Sequence, residues 1–540
     1  MKRRLNIKPI QLFALIVVVF TSFSCSEKTF EDQAGERITP DQHYKSEIDA
    51  RTSLGGAFAP LQNVIPKLIM IDGLRSDQMI TTSNADPFLR DIQNHDLSID
   101  NPFLDASDYY KVIINANEAL ANIDKIALVD RNFDQFYLKY TKGALTSLKS
   151  WTYLNLVRLY GKAALIEDNL GSLPENLNQN IVTREAMIDL LIEQLLPYIP
   201  TAAEQTSLVE FRFTNFPNIK AVLGELYLEK GDYANAVKYL KLAVESYANP
   251  ATVYKVDGFV MEGWKTMFLG GESGTGSVQI PTNSTPPPSE NISVLAFDMN
   301  EGQNNPLAQW LLPTDQFMVQ PTQLLVDSFL TQSPAVGFFG DIYRGFGTLA
   351  APGSTLDSTS SGVVYINKYS IDKNEPFSAD ITLSRAGDVH LLLAEALNRN
   401  GDSKNALVIM NQGFKAEKPI PAAYNRWNRN AGIRGRAYLK SKVVPDSVFI
   451  SPEDTITKIA LVGDARMIYV ENLIMDERAL ELAFEGKRWS DLVRIANRRN
   501  DPSYLANKVA AKFPDSQKKA IIDKLMIKEN WYLPFKKEVK

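Results

Sequence analysis

IKAVLGELYLEKGDYANAVKYLKLAVESY, residues 219–247, is the stretch from which the architecture is read. Leu223-Gly224, Tyr227, Gly231, Ala236 and Ala243 fall at the intervals of a tetratricopeptide unit, two helices folded back on each other. The reason for those residue types is local. Gly231 can take the left-handed backbone that ends the first helix, and Ala236 and Ala243 let the second helix come close. A fainter copy lies in DVHLLLAEALNRNGDSKNAL, residues 388–407, with Leu393-Ala394, Gly401 and Ala406 in matching places. Gly401 follows Gly231 by 170 positions, whereas tandem units recur about every 34 residues. The spacing predicts scattered hairpins separated by an insertion, and not a regular solenoid.

Working outward, the helical period continues on both sides. In 109–126, Val112, Ile113, Ala116, Leu120 and Ile123 share one face, and in 140–160 Leu145, Leu148, Tyr153, Leu156 and Leu159 do the same. After about residue 380 helices return, with one expected over Met475–Ala496. Between them, GGESGTGS (270–277), TPPPSE (285–290) and LAAPGSTLDSTSSG (349–362) break any long period. Aromatic residues are interleaved there: Trp264, Phe268, Phe297, Trp310, Phe317, Phe338, Phe339 and Tyr343. The expected fold is mainly α: scattered tetratricopeptide-like hairpins forming a scaffold, with a large irregular, loop-rich insert at about 251–380, a kind of segment that is usually functional or disordered and here holds too many aromatics for disorder. The regions expected are 1–24 as a signal peptide, 25–40 as a tether, 41–250 as an N-terminal helical region and 251–540 as a C-terminal region containing the insert.

The chain has 540 residues, 45% hydrophobic and 22% charged, with a formal net charge of −5. It has material for a sizeable core and lacks the basic block of a nucleic-acid binder, so no nucleic-acid partner is expected. Histidine occurs only as His43, His95 and His390. So few and so scattered, they give little material for a metal cage or a Ser/His/Asp triad, and no metal or cofactor is expected. Lys2, Arg3 and Arg4, the apolar run Leu12–Phe20 and the small residues before Cys25 read as an export signal. The run is about half of the roughly 20 residues that span a bilayer, no later stretch reads as long and apolar enough to replace it, and no transmembrane helix is expected in the mature chain. Cys25 is the single cysteine, which rules out an intrachain disulfide. Ser22-Phe23-Ser24-Cys25 resembles a bacterial lipobox, so Cys25 is expected to carry lipid and anchor the chain. Glu27, Glu31 and Asp32 read either as a surface-export signal or as a solvated linker.

Asp476, Glu477, Glu481, Glu485 and Asp491 invite comparison with the paired carboxylates of glycosidases. Glu477, Glu481 and Glu485 recur every four residues, however, beside Arg478, Lys487, Arg488 and Arg494, which predicts a structural ion-pair network. The glycine-rich GGESGTG lacks the lysine of a phosphate-binding loop and reads as a flexible loop. Trp151, Trp489 and Trp531 lie in helical or terminal motifs and are expected in the core, while Trp264, Trp310 and Trp427 fall in less regular regions.

Several segments, in order along the mature chain, resemble the SusD/RagB family of outer-membrane nutrient-uptake lipoproteins. ITPDQHYKSEIDARTSLGGAFAPL (38–61) looks like its opening segment and DYYKVIINANEAL (108–120) like its asparagine-bearing helix. KGALTSLKSWTYLNLVRLYGKAAL (142–165), QPTQLLVDSF (320–329) and LLLAEALNRNG (391–401) match three further elements. DERALELAFEGKRWSDLVR (476–494) is the most specific, and NWYLPF (530–535) resembles the closing element. The resemblance implies four tetratricopeptide-like hairpins supporting an irregular binding region. It implies a non-catalytic surface protein that captures oligosaccharides, or peptides in some members. It further implies a SusC-like TonB-dependent transporter as partner and a location at the outer membrane. In the family the groove is lined by the loop after the first helix and by the irregular middle. By position these are about 72–96, with Arg75, Asp77, Asn84 and Phe88, and about 264–343, with Trp264, Trp310 and Tyr343. A sugar ring lies on an aromatic face while its hydroxyls meet polar groups at the edge, so within those stretches these residue types point to ligand contact.

Overall fold

The computed structural model describes residues 40–167, 180–201, 216–245, 256, 264, 290–335, 337, 339–351, 363–370, 374–449, 451, 454 and 456–535. The signal, Cys25 and its tether, GGESGTG, Phe268 and Phe338 lie outside the described residues.

Helices dominate, and their ends follow the local chemistry of the chain. Ser46 and Asp49 form a reciprocal capping box that starts Glu47–Phe58. Asp134 accepts the Phe136 and Tyr137 amides to start Gln135–Tyr160, which Gly161 ends at φ 71°. The two repeat copies use one device twice. Gly231 (φ 83°) ends Ile219–Lys230, and Asp232 then accepts the Asn235 amide at 3.1 Å to start Tyr233–Val244. Gly401 (φ 88°) and Asp402 do the same between Ala386–Arg399 and Ser403–Met410, with the Asn405 amide at 3.1 Å. Gly224 is where the first hairpin closes most tightly: a Cβ there would sit 2.5 Å from Leu240 Cγ.

The hairpins, distant in sequence, are neighbours in space. Tyr233–Val244 packs on Ala386–Arg399, so the second copy continues the stack begun by the first, and the intervening segment is looped out of it. On the other side, Arg184–Leu195 packs against both Gln135–Tyr160 and Ile219–Lys230, and Gly463–Glu481 covers Ala386–Arg399. The hairpins, scattered in sequence as expected, thus form one scaffold in space. Burial of the apolar faces holds the row together, and loop length adds only slowly to the cost of closure. Among the described residues the strands form five two-stranded antiparallel ladders, including 79–81 with 319–321 and 291–295 with 381–385, which clip the insert to the scaffold.

Two further expectations change. The helix expected over Met475–Ala496 is two helices, Gly463–Glu481 and Arg488–Arg499. Phe484 (φ 65°) and Gly486 (φ 69°) turn the chain between them, and the Asp72 carboxylate caps the new helix by accepting the Arg488 and Trp489 amides at 3.0 and 2.9 Å. Contrary to the expectation that no stretch after the signal is long and apolar enough to cross a bilayer, residues 47–75 are so by length and composition. Ala59 and Pro60 divide this stretch into two helices, and 61% of its apolar window is buried in the protein's own core.

Candidate functional site

The early loop and the insert are brought together by the shortest of means. Strand 79–81 pairs with 319–321 in the register Met79–Pro321, Ile80–Gln320 and Thr81–Val319. The ladder is extended at both ends: Thr322 N–H donates to the Gln78 carbonyl and Thr82 N–H to the Met318 carbonyl, each at 2.9 Å. Met318 in turn donates to the Trp310 carbonyl at 2.9 Å. Loop 82–86 therefore lies beside the turn that follows Trp310.

Each segment is held by its own side chains. Arg90 donates to the Ser83 carbonyl at 2.8 Å, and Gln93 Oε1 accepts the Thr81 amide at 2.6 Å. Asp86 caps Pro87–Gln93 by accepting the Phe88 amide at 2.8 Å. This presents Asn84 to solvent and leaves Phe88 37% exposed. Across the ladder, Trp310 is half-buried at the end of the short Leu307–Leu311 helix, followed by the exposed residues Pro313, Thr314, Asp315 and Gln316. Among the described tryptophans it alone is not buried. The surface thus combines aromatic carbon with amide, hydroxyl and carboxylate edges on a backbone fixed by hydrogen bonds, which suits a neutral polyhydroxylated ligand.

Three of the expected contact residues are elsewhere. Arg75 has no exposed surface: its guanidinium stacks 4.0 Å over Trp489 and donates to the Asn530 carbonyl at 2.8 Å. Burial pulls its pKa down to about 9 against the pull of Asp72. Asp77 is bound by Arg488 through two hydrogen bonds of 2.8 and 2.7 Å. It borders a separate cleft of about 620 Å³ lined also by Tyr504, Asn507 and Lys508. Trp264 is fully buried, and its Nε1 donates to Thr348 Oγ1 at 3.2 Å. Gly347 makes room for it, since a Cβ there would fall 2.1 Å from Trp264 Cδ1. Lys368 and Arg385 lie 5.2 and 5.1 Å from the ring centroid, so cations occupy the space a sugar would need. These are corrections with two causes: Arg75 and Trp264 are enclosed by the core and present no face to a ligand, and the Asp77 carboxylate is engaged by Arg488. Trp427, also fully buried, donates to Glu245. Tyr343 is half-buried, with its ring 5.1 Å from that of Tyr438.

The carboxylates that suggested a glycosidase form the expected ion-pair network; Asp491 pairs with the expected Arg478 and Arg494, whereas Glu477, Glu481 and Glu485 are held by more distant cations. Glu477 is paired with Arg344 and Arg434, Glu481 with Arg344, Arg385 and Arg436, and Glu485 with Lys368 and Arg385. Arg478 instead meets Asp388 and Asp491, Arg488 meets Asp77, and Arg494 meets Glu395 and Asp491. Burial raises the pKa of Glu481, but the guanidinium groups of Arg436, Arg385 and Arg344 overcome it and hold the carboxyl below the usual range. A carboxyl kept ionised by fixed countercharges is a poor proton donor, and none of these three faces solvent.

Comparison with known proteins gives a consistent set of relatives. The SusD family description matches residues 343–538. A SusD-like protein of Formosa agariphila is 24% identical over 520 residues, covering 90% of this chain and 91% of the relative. A SusD superfamily structure from Bacteroides vulgatus ATCC 8482 superposes with a TM-score of 0.62 at 16% identity, over 88% of this chain and 92% of that one. A laminarin-binding SusD-like protein superposes with a TM-score of 0.56 at 16% identity, over 91% and 96%. At these identities the structural likeness concerns the fold.

Proposed function

The chain belongs to the SusD/RagB family, and from that premise we propose that it captures oligosaccharides at the cell surface without chemically altering them. The observation that carries this reading is the surface formed by loop 82–88 and the segment 310–318, where Trp310, Phe88 and Asn84 stand on backbones joined by the 79–81/319–321 ladder. Rings for C–H faces and polar groups for hydroxyls are what a sugar-binding surface requires. The laminarin-binding relative shares the fold and supports a glycan as ligand. The enclosure of the carboxylate network in the core supports a non-catalytic role. The arrangement of the N-terminus supports lipidation at Cys25 and attachment to the outer membrane, and family membership supports delivery of the glycan to a SusC-like TonB-dependent transporter.

The test is binding of the purified full chain to an array of glycans and peptides, followed by the variants Trp310→Ala and Phe88→Ala. Binding to one glycan class, with loss of at least about tenfold in each variant and a melting temperature within a few degrees of wild type, is expected. Binding to peptides alone, or release of smaller sugars from a bound glycan, would reject the reading.

A further inference from the structure

Tyr438 has φ 55°, the left-handed backbone that glycine favours. The short Ile433–Arg436 helix ends there. Leu439 N–H donates to the Arg434 carbonyl at 2.9 Å and Tyr438 N–H to the Gly435 carbonyl at 3.1 Å, the hydrogen-bond pair of a Schellman closure. Glycine is the residue such a closure prefers at this position. A tyrosine is strained in it, and its ring does not repay the strain by core packing, because the residue is 43% exposed.

What the strained turn does is place a ring. Leu439 is buried and bridges to Pro334, while Tyr438 and Lys440 flank it on the outer side. The Tyr438 carbonyl accepts the Ala335 amide at 2.6 Å, and the Lys440 amide donates to the Ser333 carbonyl at 2.9 Å, so the turn is tied to the insert at two points. The Tyr438 ring then lies 5.1 Å from that of Tyr343, tilted by 31°. Ser333 and Lys440, paired through their backbones at the edge of the same turn, are exposed and bring a hydroxyl and an ammonium group to it. Phe339, four residues before Tyr343, is 58% exposed.

We propose that Tyr438 and Tyr343 form a second saccharide-stacking platform, carried on elements other than the Trp310 surface. It binds a pyranose residue with its C–H face on one ring and its hydroxyls toward Ser333 and Lys440. The polar rim favours a sugar over the apolar anchor of a protein partner, which would need a dry pocket. The proposal rests on the glycan-capture reading and extends it to a residue outside both expected groove regions.

The strain makes the test selective, because Tyr438→Gly removes the ring and relieves the backbone together. The array described above, laminarin included, supplies the probe: the polysaccharide the wild-type full chain binds most tightly. Tyr438→Gly is expected to melt at or above the wild-type temperature and to bind about tenfold more weakly, while Tyr438→Phe binds within about twofold of wild type. Unchanged affinity in Tyr438→Gly, with Trp310→Ala weakened, overturns the platform and leaves the glycan reading standing. If the wild-type chain binds no glycan, the reading and the platform fall together. Should Tyr438→Gly melt lower, Tyr343→Ala decides with the same probe, and unchanged affinity there overturns the proposal. Loss of co-purification with a membrane transporter, at unchanged glycan affinity, would assign the patch to a protein partner instead.

Discussion

Glu481→Gln removes the charge at the centre of the buried network while keeping the side chain's size. Glu481 accepts from Arg385 Nη1 at 2.7 Å, from Arg344 Nη1 at 2.9 Å and from Arg436 Nη2. Hydrogen bonds to charged groups contribute about 1.5–3 kcal/mol each, which bounds the three together at roughly 5–9 kcal/mol. The arginines keep other partners: Arg344 retains Asp341 and Glu477, Arg385 retains Glu485 and Glu290, and Arg436 retains Glu290. Gln also keeps one carbonyl acceptor, although its amide N–H₂ now points at guanidinium donors. The expected loss is therefore about 3–5 kcal/mol, the range for breaking a buried ion pair from one side. Against a typical total of about 5–15 kcal/mol this is a large fraction. Urea unfolding at neutral pH, followed by tryptophan fluorescence, reads it as a lower midpoint at unchanged slope. A loss below about 1 kcal/mol would refute the claim that these contacts are desolvated and structural. A variant as stable as wild type that had lost a hydrolytic activity would return Glu481 to the list of catalytic groups.

Acid should act through the same chemistry. Burial raises the Glu229 pKa, but Arg158, Arg184 and Arg494 bring it down to about 2, and Glu477, Glu481 and Glu485 are also lowered. A depressed carboxylate contributes stability that is complete above its unfolded pKa of about 4.5 and is lost as pH falls through the folded value. Unfolding free energy is thus expected to be flat as far as these groups go from pH 6 to 5 and to fall between about 4.5 and 2, Glu229 alone accounting for about 3 kcal/mol; a fall of that size confined to pH above 5 would contradict the assignment. Trp264→Ala should cost about 3–5 kcal/mol by emptying a core site, whereas Trp310→Ala, at a half-buried position, should cost about 1 kcal/mol; equal urea midpoints for the two variants would show that their burial is misassigned.

Much of this molecule is legible locally. Gly231-Asp232 and Gly401-Asp402 announce their turns because a left-handed residue followed by a capping carboxylate is a property of a few adjacent residues. The same holds for the helical faces of 109–126 and 140–160. The fold class and the family resemblance followed from such signals. Site residues were another matter. Asn84, Phe88 and Trp310 follow from region and residue type alone, and the 79–81/319–321 ladder, joining positions some 240 apart, is what sets two of those regions side by side.

The tertiary structure decided what distant residues do to one another. Arg75, Asp77 and Trp264 look like ligand groups because arginine, aspartate and tryptophan usually are when exposed. Their burial is set by Trp489, Arg488 and the missing Cβ of Gly347, which no local pattern encodes. Glu477, Glu481 and Glu485 stood in sequence beside arginines and lysines, yet they are neutralised by Arg344, Arg385, Arg434, Arg436 and Lys368 from the insert and beyond. Two helical hairpins separated by a long insertion became consecutive members of one stack because their apolar faces fit each other. Backbone preferences act over a few residues and can be read from them; burial and charge pairing depend on which surfaces meet, and that is fixed only when the whole chain has closed.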